Sequence, residues 1–144
     1  MSFALDVNIL LYASDSESPR HEKARVFLEK CMQHEEVFCI AWATAMSYIR
    51  IATHPSVFEH PLTHDEATSN IGTLLNLPHV RFLSEGEGFW DIYRELTAKV
   101  PTRGNLVPDA HLAAILRQHR VKTLYTNDRD FLKFAFLKVR DPLV

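Results

Sequence analysis

Val37-Phe38-Cys39-Ile40-Ala41 contains no polar side chain. A strand with one wet face alternates apolar and polar residues. An unbroken apolar run of this length therefore belongs to a strand covered on both faces, as in a parallel sheet with helices above and below. Phe3-Ala4-Leu5-Asp6, Val80-Arg81-Phe82-Leu83 and Thr123-Leu124-Tyr125-Thr126 read as three more short strands, and Phe136 to Val139 as a marginal edge strand. Helical patterns fill the intervals. From Arg20 to His34 the apolar residues Ala24, Phe27, Leu28, Cys31 and Met32 recur at i, i+3, i+4, i+7 and i+8, the stripe of a core-facing helix.

The other helices carry their own punctuation. Pro19 is expected just inside the helix that precedes His34, and His54-Pro55 ends a helix from about Thr44 to Thr53. Thr63-His64-Asp65-Glu66 has the form of a capping box and opens another. A helix over Phe89 to Val100 is expected to turn Phe89, Trp90, Tyr93, Leu96 and Val100 inward, in the core and not as platforms for bases. A last long helix runs from about Pro108 to His119, and Asn127 to Asp130 form a turn before a helical turn at Phe131 to Phe134. Strands alternating with helices define an α/β fold built on a parallel sheet of four to five strands. The length, 144 residues, suits a single domain over 1–144.

Charge is unevenly spread. The formal net charge is −2, yet residues 101 to 144 hold 8 Lys and Arg against 4 acids, whereas residues 1 to 100 hold 8 against 14. Three of those four C-terminal acids are Asp109, Asp128 and Asp130, so a few carboxylates stand in a basic frame suited to a polyanion. No apolar run approaches the roughly 18 residues of a membrane span, and the opening residues lack a signal-peptide pattern. A cytoplasmic location with Cys31 and Cys39 reduced is the expectation. The eight histidines are scattered, and none forms the helical pair of a zinc hydrolase.

In a parallel sheet ligands bind at the carboxyl ends of the strands. Asp6 and Asp128 each follow a strand at that end, and Asp109 lies in the first turn of a helix. Each alone reads as a cap or turn residue. Together, converging carboxylates need a counter-charge, since like charges raise one another's pKa. Oxygen donors of this kind suit Mg²⁺ or Mn²⁺, which can activate water against a phosphodiester.

Four segments in order carry a resemblance: Asp6-Val7-Asn8-Ile9-Leu10-Leu11-Tyr12, Tyr48-Ile49-Arg50-Ile51-Ala52-Thr53-His54-Pro55, Gly104-Asn105-Leu106-Val107-Pro108-Asp109-Ala110-His111, and Thr126-Asn127-Asp128-Arg129-Asp130-Phe131. They resemble the PIN-domain ribonucleases, specifically the VapC toxins of bacterial toxin–antitoxin pairs. The resemblance implies a three-layer α/β/α domain and an endoribonuclease dependent on Mg²⁺ or Mn²⁺. It also implies an RNA substrate, a VapB-like antitoxin partner and a homodimer. Asp6, Asp109 and Asp128 would be the catalytic and metal-binding acids, with Asn8 and Thr126 as polar supports and Asp130 supporting the turn.

One position departs from the family. Where its members commonly carry a Glu, in the helix after the second strand, this chain has Ser47. Glu85 and Glu87 follow the third strand, which the resemblance puts at the sheet's edge away from Asp6, and His111 is expected at the periphery. The competing reading is a PIN fold that binds RNA or protein without cutting.

Overall fold

In the computed structural model, which describes residues 2–144, five strands form one parallel sheet in the order β3-β2-β1-β4-β5. They are β1 (Phe3–Leu5), β2 (Phe38–Ala41), β3 (Val80–Leu83), β4 (Thr123–Tyr125) and β5 (Lys138–Arg140). Ala4 pairs with Cys39 on one side and with Leu124 on the other, which puts β1 at the centre. The helices are α1 (Val7–Ser14), α2 (His21–Gln33), α3 (Trp42–Ala52), α4 (His64–Leu75), α5 (Phe89–Ala98) and α6 (Leu106–Gln118), with a 3₁₀ turn at Arg129–Lys133.

The period of two along the strands explains why their sequences are apolar throughout. Phe3, Leu5, Phe38 and Ile40 enter one core with Leu10, Tyr48 and Ile71, while Ala4, Cys39, Ala41 and Leu124 enter the opposite core with Ala113, Ile115 and Phe131. The central strands β1 and β2 thus feed two hydrophobic layers, giving the expected α/β/α sandwich, while the edge strand β5 leaves Lys138 and Arg140 exposed. Cys31 and Cys39 belong to opposite cores, and both are buried free thiols.

α6 is the most enclosed helix element of its layer. Ala110, Ala113, Ala114, Ile115 and Leu116 are all fully buried, and the three alanines leave room for close approach to neighbouring elements. The capping box of α4 is complete: the Glu66 N–H donates to Thr63 Oγ1 at 3.1 Å, and the Thr63 N–H donates to Glu66 Oε1 at 2.9 Å. Several boundaries shift from expectation: α3 begins at Trp42, two residues before Thr44, and the last helical turn spans Arg129–Lys133. α2 begins at His21, so Pro19 lies in the preceding turn; α6 begins at Leu106, two residues before Pro108; and the edge strand is Lys138–Arg140.

Trp90 does not turn inward. Phe89, Tyr93, Leu96 and Val100 form the packed stripe of α5, while Trp90, about 100° further round, is 63% exposed and stacks on Tyr93 with ring centroids 5.7 Å apart. Among the described residues no helix is long and apolar enough to cross a membrane.

Candidate active site

The order of strands determines where the carboxylates meet. From β1 the chain moves outward to β2 and β3, then returns to place β4 on the other side of β1. The crevice at such a reversal opens at the carboxyl ends of the two strands. Asp6 leaves β1 there, and Thr126, Asn127 and Asp128 leave β4.

Asp6 is buried and serves as the N-cap of α1, its Oδ1 accepting the Val7 N–H at 2.8 Å. Its Oδ2 accepts the hydroxyl of Thr126, also buried, at 2.8 Å. Capping and site membership are therefore not rivals at this position. Burial pushes the Asp6 carboxyl above its ordinary range, the hydrogen bonds from Thr126 and Val7 pull it back, and the charge of Asp128 adds to the rise.

Thr126 is the joint of the site. Besides donating to Asp6, its Oγ1 accepts the Asp128 N–H at 2.9 Å and the Asn8 side-chain amide at 3.2 Å. Asn8 also donates to Asn127 Oδ1 at 2.6 Å. Asn8 thus touches the carboxylates through Thr126, not directly.

Asp109 sits in the first turn of α6 with a carboxyl raised to about 7. Burial is the main cause, followed by the charges of Asp128, Asp6 and Asp130, with Lys133 opposing them. Oxygens of Asp109, Asp128 and Asp130 all lie within 4.8 Å of one another. Asp128 and Asp130 both belong to this turn and to the acidic trio. Asp128 Oδ1 accepts the Asp130 N–H at 2.9 Å and so stabilises the turn, while the Asp130 carboxylate joins the acidic trio and approaches Lys133 Nζ at 3.6 Å.

Asp6 stands apart from that trio and shares with Asp109 a cleft of about 150 Å³, whose wall includes Thr44 and Ser47 of α3. Ser47 therefore faces the site from the position where the resemblance implies an acid. His111 is not peripheral: it lines the same cleft. Its Nε2 lies 3.1 Å from Glu85 Oε2, and Phe89 meets its ring edge-on at 5.6 Å. Glu85 thus reaches the rim through His111, a link invisible in sequence because the partners are 26 residues apart.

The donor set fits a hard divalent cation. Four carboxylates supply only oxygen ligands, and Lys133 is the one cation that offsets them at Asp109. Burial first, and the neighbouring acids after it, raise the carboxyls of Asp6 and Asp109.

Comparison with known proteins gives a consistent result. The family model described as the PIN domain matches residues 3–137. Ribonuclease VapC48 of Mycobacterium tuberculosis is 41% identical over 142 residues, covering 99% of this chain and 98% of that protein. Ribonuclease VapC43 of the same organism is 32% identical over 139 residues, covering 96% and 94%. Among solved structures, the sarcin–ricin loop cleaving toxin VapC20 of Mycobacterium tuberculosis superposes with a TM-score of 0.71 at 17% identity, covering 96% and 98%. VapBC2 from Rickettsia felis, bound to a promoter DNA fragment, gives 0.69 at 16% identity, covering 98% of each chain. These last two likenesses concern the fold.

Proposed function

Because this chain belongs to the PIN-domain family, and within it to the VapC ribonucleases, we propose that it hydrolyses RNA phosphodiester bonds in the cytoplasm as the toxin of a toxin–antitoxin pair. The observation that carries the reading is the convergence of Asp109, Asp128 and Asp130 at the strand reversal, with Asp109 common to that trio and to the cleft it shares with Asp6.

One Mg²⁺ or Mn²⁺ would be held by Asp109, with Asp6, Asp128 and Asp130 as the remaining donors. When bound, such an ion supplies Lewis-acid chemistry toward water and the phosphodiester. The protein's own groups do the rest. Val7 and Thr126 fix both oxygens of Asp6 and favour its ionised form. Thr126 joins the Asp6 carboxylate to the backbone of Asp128 through one hydroxyl. Ser47 and Thr44 present hydroxyls to the cleft wall, where they can orient a water for in-line attack on phosphorus. Lys133 places a positive charge beside Asp130, toward which a phosphate backbone is drawn.

A toxin also needs restraint. α1, α2, α3 and α4 enclose a groove of about 390 Å³ in which Leu10, Leu28, Met32, Ile71 and Leu74 supply apolar surface and Ser14, Tyr48 and Asn70 polar contacts. We read it as the seat of an amphipathic antitoxin segment, which would lay its apolar face on those side chains.

Incubation of the purified protein with total RNA, in Mn²⁺ and in EDTA, tests the enzymatic reading. Discrete fragments in Mn²⁺ alone are expected, and their absence from an Asp109→Asn preparation. Intact RNA under both conditions would leave a binding module in place of an enzyme.

A further inference from the structure

A second cavity lies beside the carboxylates and has no part in holding them. Glu95, Leu96 and Lys99 from α5 and its end, Arg117 from α6, and Lys133 and Phe136 around the 3₁₀ turn enclose about 300 Å³, the lower end of ligand-pocket sizes. Three of its four charged side chains are cations. Arg117 is already organised: its guanidinium carbon lies over the Phe136 ring at 5.5 Å from the centroid, and its Nη2 stands 3.6 Å from Glu95 Oε1. The Arg117 side chain nevertheless remains 45% exposed.

Two connections tie this cavity to the acidic cluster. Lys133 lines it and also approaches Asp130 at 3.6 Å, so one side chain borders both. Arg117 follows Asp109 by eight positions on α6, roughly 12 Å along the axis at 1.5 Å per residue. A strand whose scissile bond lies at the carboxylates passes over Lys133 to reach the cavity.

We propose that this cavity is a nucleotide subsite of the ribonuclease, taking the base of a residue beyond the two that flank the scissile bond. The base stacks on the open face of Arg117, whose other face is supported by Phe136, and Lys99 and Lys133 lie against the adjoining phosphates. Guanidinium planes and aromatic rings accept any base by stacking, so the subsite holds single-stranded RNA without reading its sequence. Glu95 does not bar the way, because its solvent-exposed pairing with Arg117 is weak and yields to a phosphate. The inference rests on the ribonuclease reading above and adds to it a place for the substrate outside the carboxylate site.

The test uses the Asp109→Asn protein and two fluorescein-labelled probes, a uridine hexamer and a uridine dinucleotide, followed by fluorescence anisotropy. The expected result is that adding Arg117→Ala weakens hexamer binding by about tenfold and dinucleotide binding less than twofold. Adding Lys99→Gln, an exposed change that leaves packing intact, lowers the salt dependence of hexamer binding by about one ion. Photo-cross-linking with a 5-iodouridine hexamer is expected to mark the peptide holding Phe136. Equal losses on both probes, no loss on the hexamer, or cross-links confined to Trp90 would overturn the assignment. Wild-type cleavage of total RNA in Mn²⁺ separates the two levels. If RNA stays intact, the ribonuclease reading fails; if it is cut while the Arg117 variant treats both probes alike, only the subsite fails.

Discussion

The hydroxyl of Thr126 donates to Asp6 Oδ2 at 2.8 Å, and both residues are buried. Thr126→Val keeps the shape and removes the donor. An unsatisfied buried acceptor costs about 1–3 kcal/mol, and urea denaturation is expected to show a loss of that size. Because the Thr126 bond lowers the Asp6 pKa, its removal raises it, and the acid limb of the pH–rate profile moves to higher pH. Thr126→Ser restores both.

Asp109→Asn is expected to abolish RNA cleavage and to stabilise the metal-free protein. The folded carboxyl titrates near 7 against an ordinary value of 3.8, so between these pH values the folded state holds more protons than the unfolded one. Stability from this group is therefore lost as pH rises from about 4 to about 7. In EDTA at pH 8 the Asn variant should be more stable by about 1–2 kcal/mol, a figure reduced for the solvent that reaches this half-buried group. At pH 4 the advantage should vanish. Chemical denaturation at the two pH values checks it.

Metal binding should show the same competition from the other side. Mn²⁺ at 100 times its dissociation constant adds about 2.7 kcal/mol of stability. Protons contest Asp109 below its pKa of about 7, so the thermal shift produced by a fixed Mn²⁺ concentration should be larger at pH 8 than at pH 5.5, and EDTA should reverse it. Equal shifts at both pH values would place the ion elsewhere.

Thr63→Ala removes one half of the α4 capping box, far in sequence from every acid of the site. A loss of about 1 kcal/mol is expected, with RNA cleavage unchanged at temperatures below the transition. It separates lost stability from lost chemistry.

Ser47→Glu adds the acid that the family commonly carries, on the wall of the cleft shared by Asp6 and Asp109. The added charge should raise Mn²⁺ affinity several-fold by calorimetry and, in EDTA, lower stability by crowding another carboxylate among those present. A variant that binds Mn²⁺ no better would show that Ser47 lies outside the ion's reach.

How much was readable beforehand differs by residue. The parallel sheet follows from short apolar runs separated by helical patterns, but the order that sets β4 beside β1 does not; Asp6, Asp109 and Asp128 sit where local signals put them, at strand ends and a helix start. Thr63 and Glu66 were readable because a capping box is local. Trp90 was misassigned although its own neighbours carried the signal: at helical spacing it meets Tyr93, Arg94 and Thr97, whereas Phe89 meets Tyr93 and Leu96. That Asp128 is the acid whose carboxylate braces the turn depends on how the backbone bends, and two acids in one turn offer the sequence no way to choose. Glu85 and His111 meet across two elements, and no local pattern encodes that.

The bond between Asp6 and Thr126 joins residues 120 positions apart, and β1 pairs with β4 across the same interval. The first corner of the site is synthesised 120 residues before Thr126. Contacts this distant in sequence form late. A nascent chain thus lacks the site until β4 has been made and has docked beside β1.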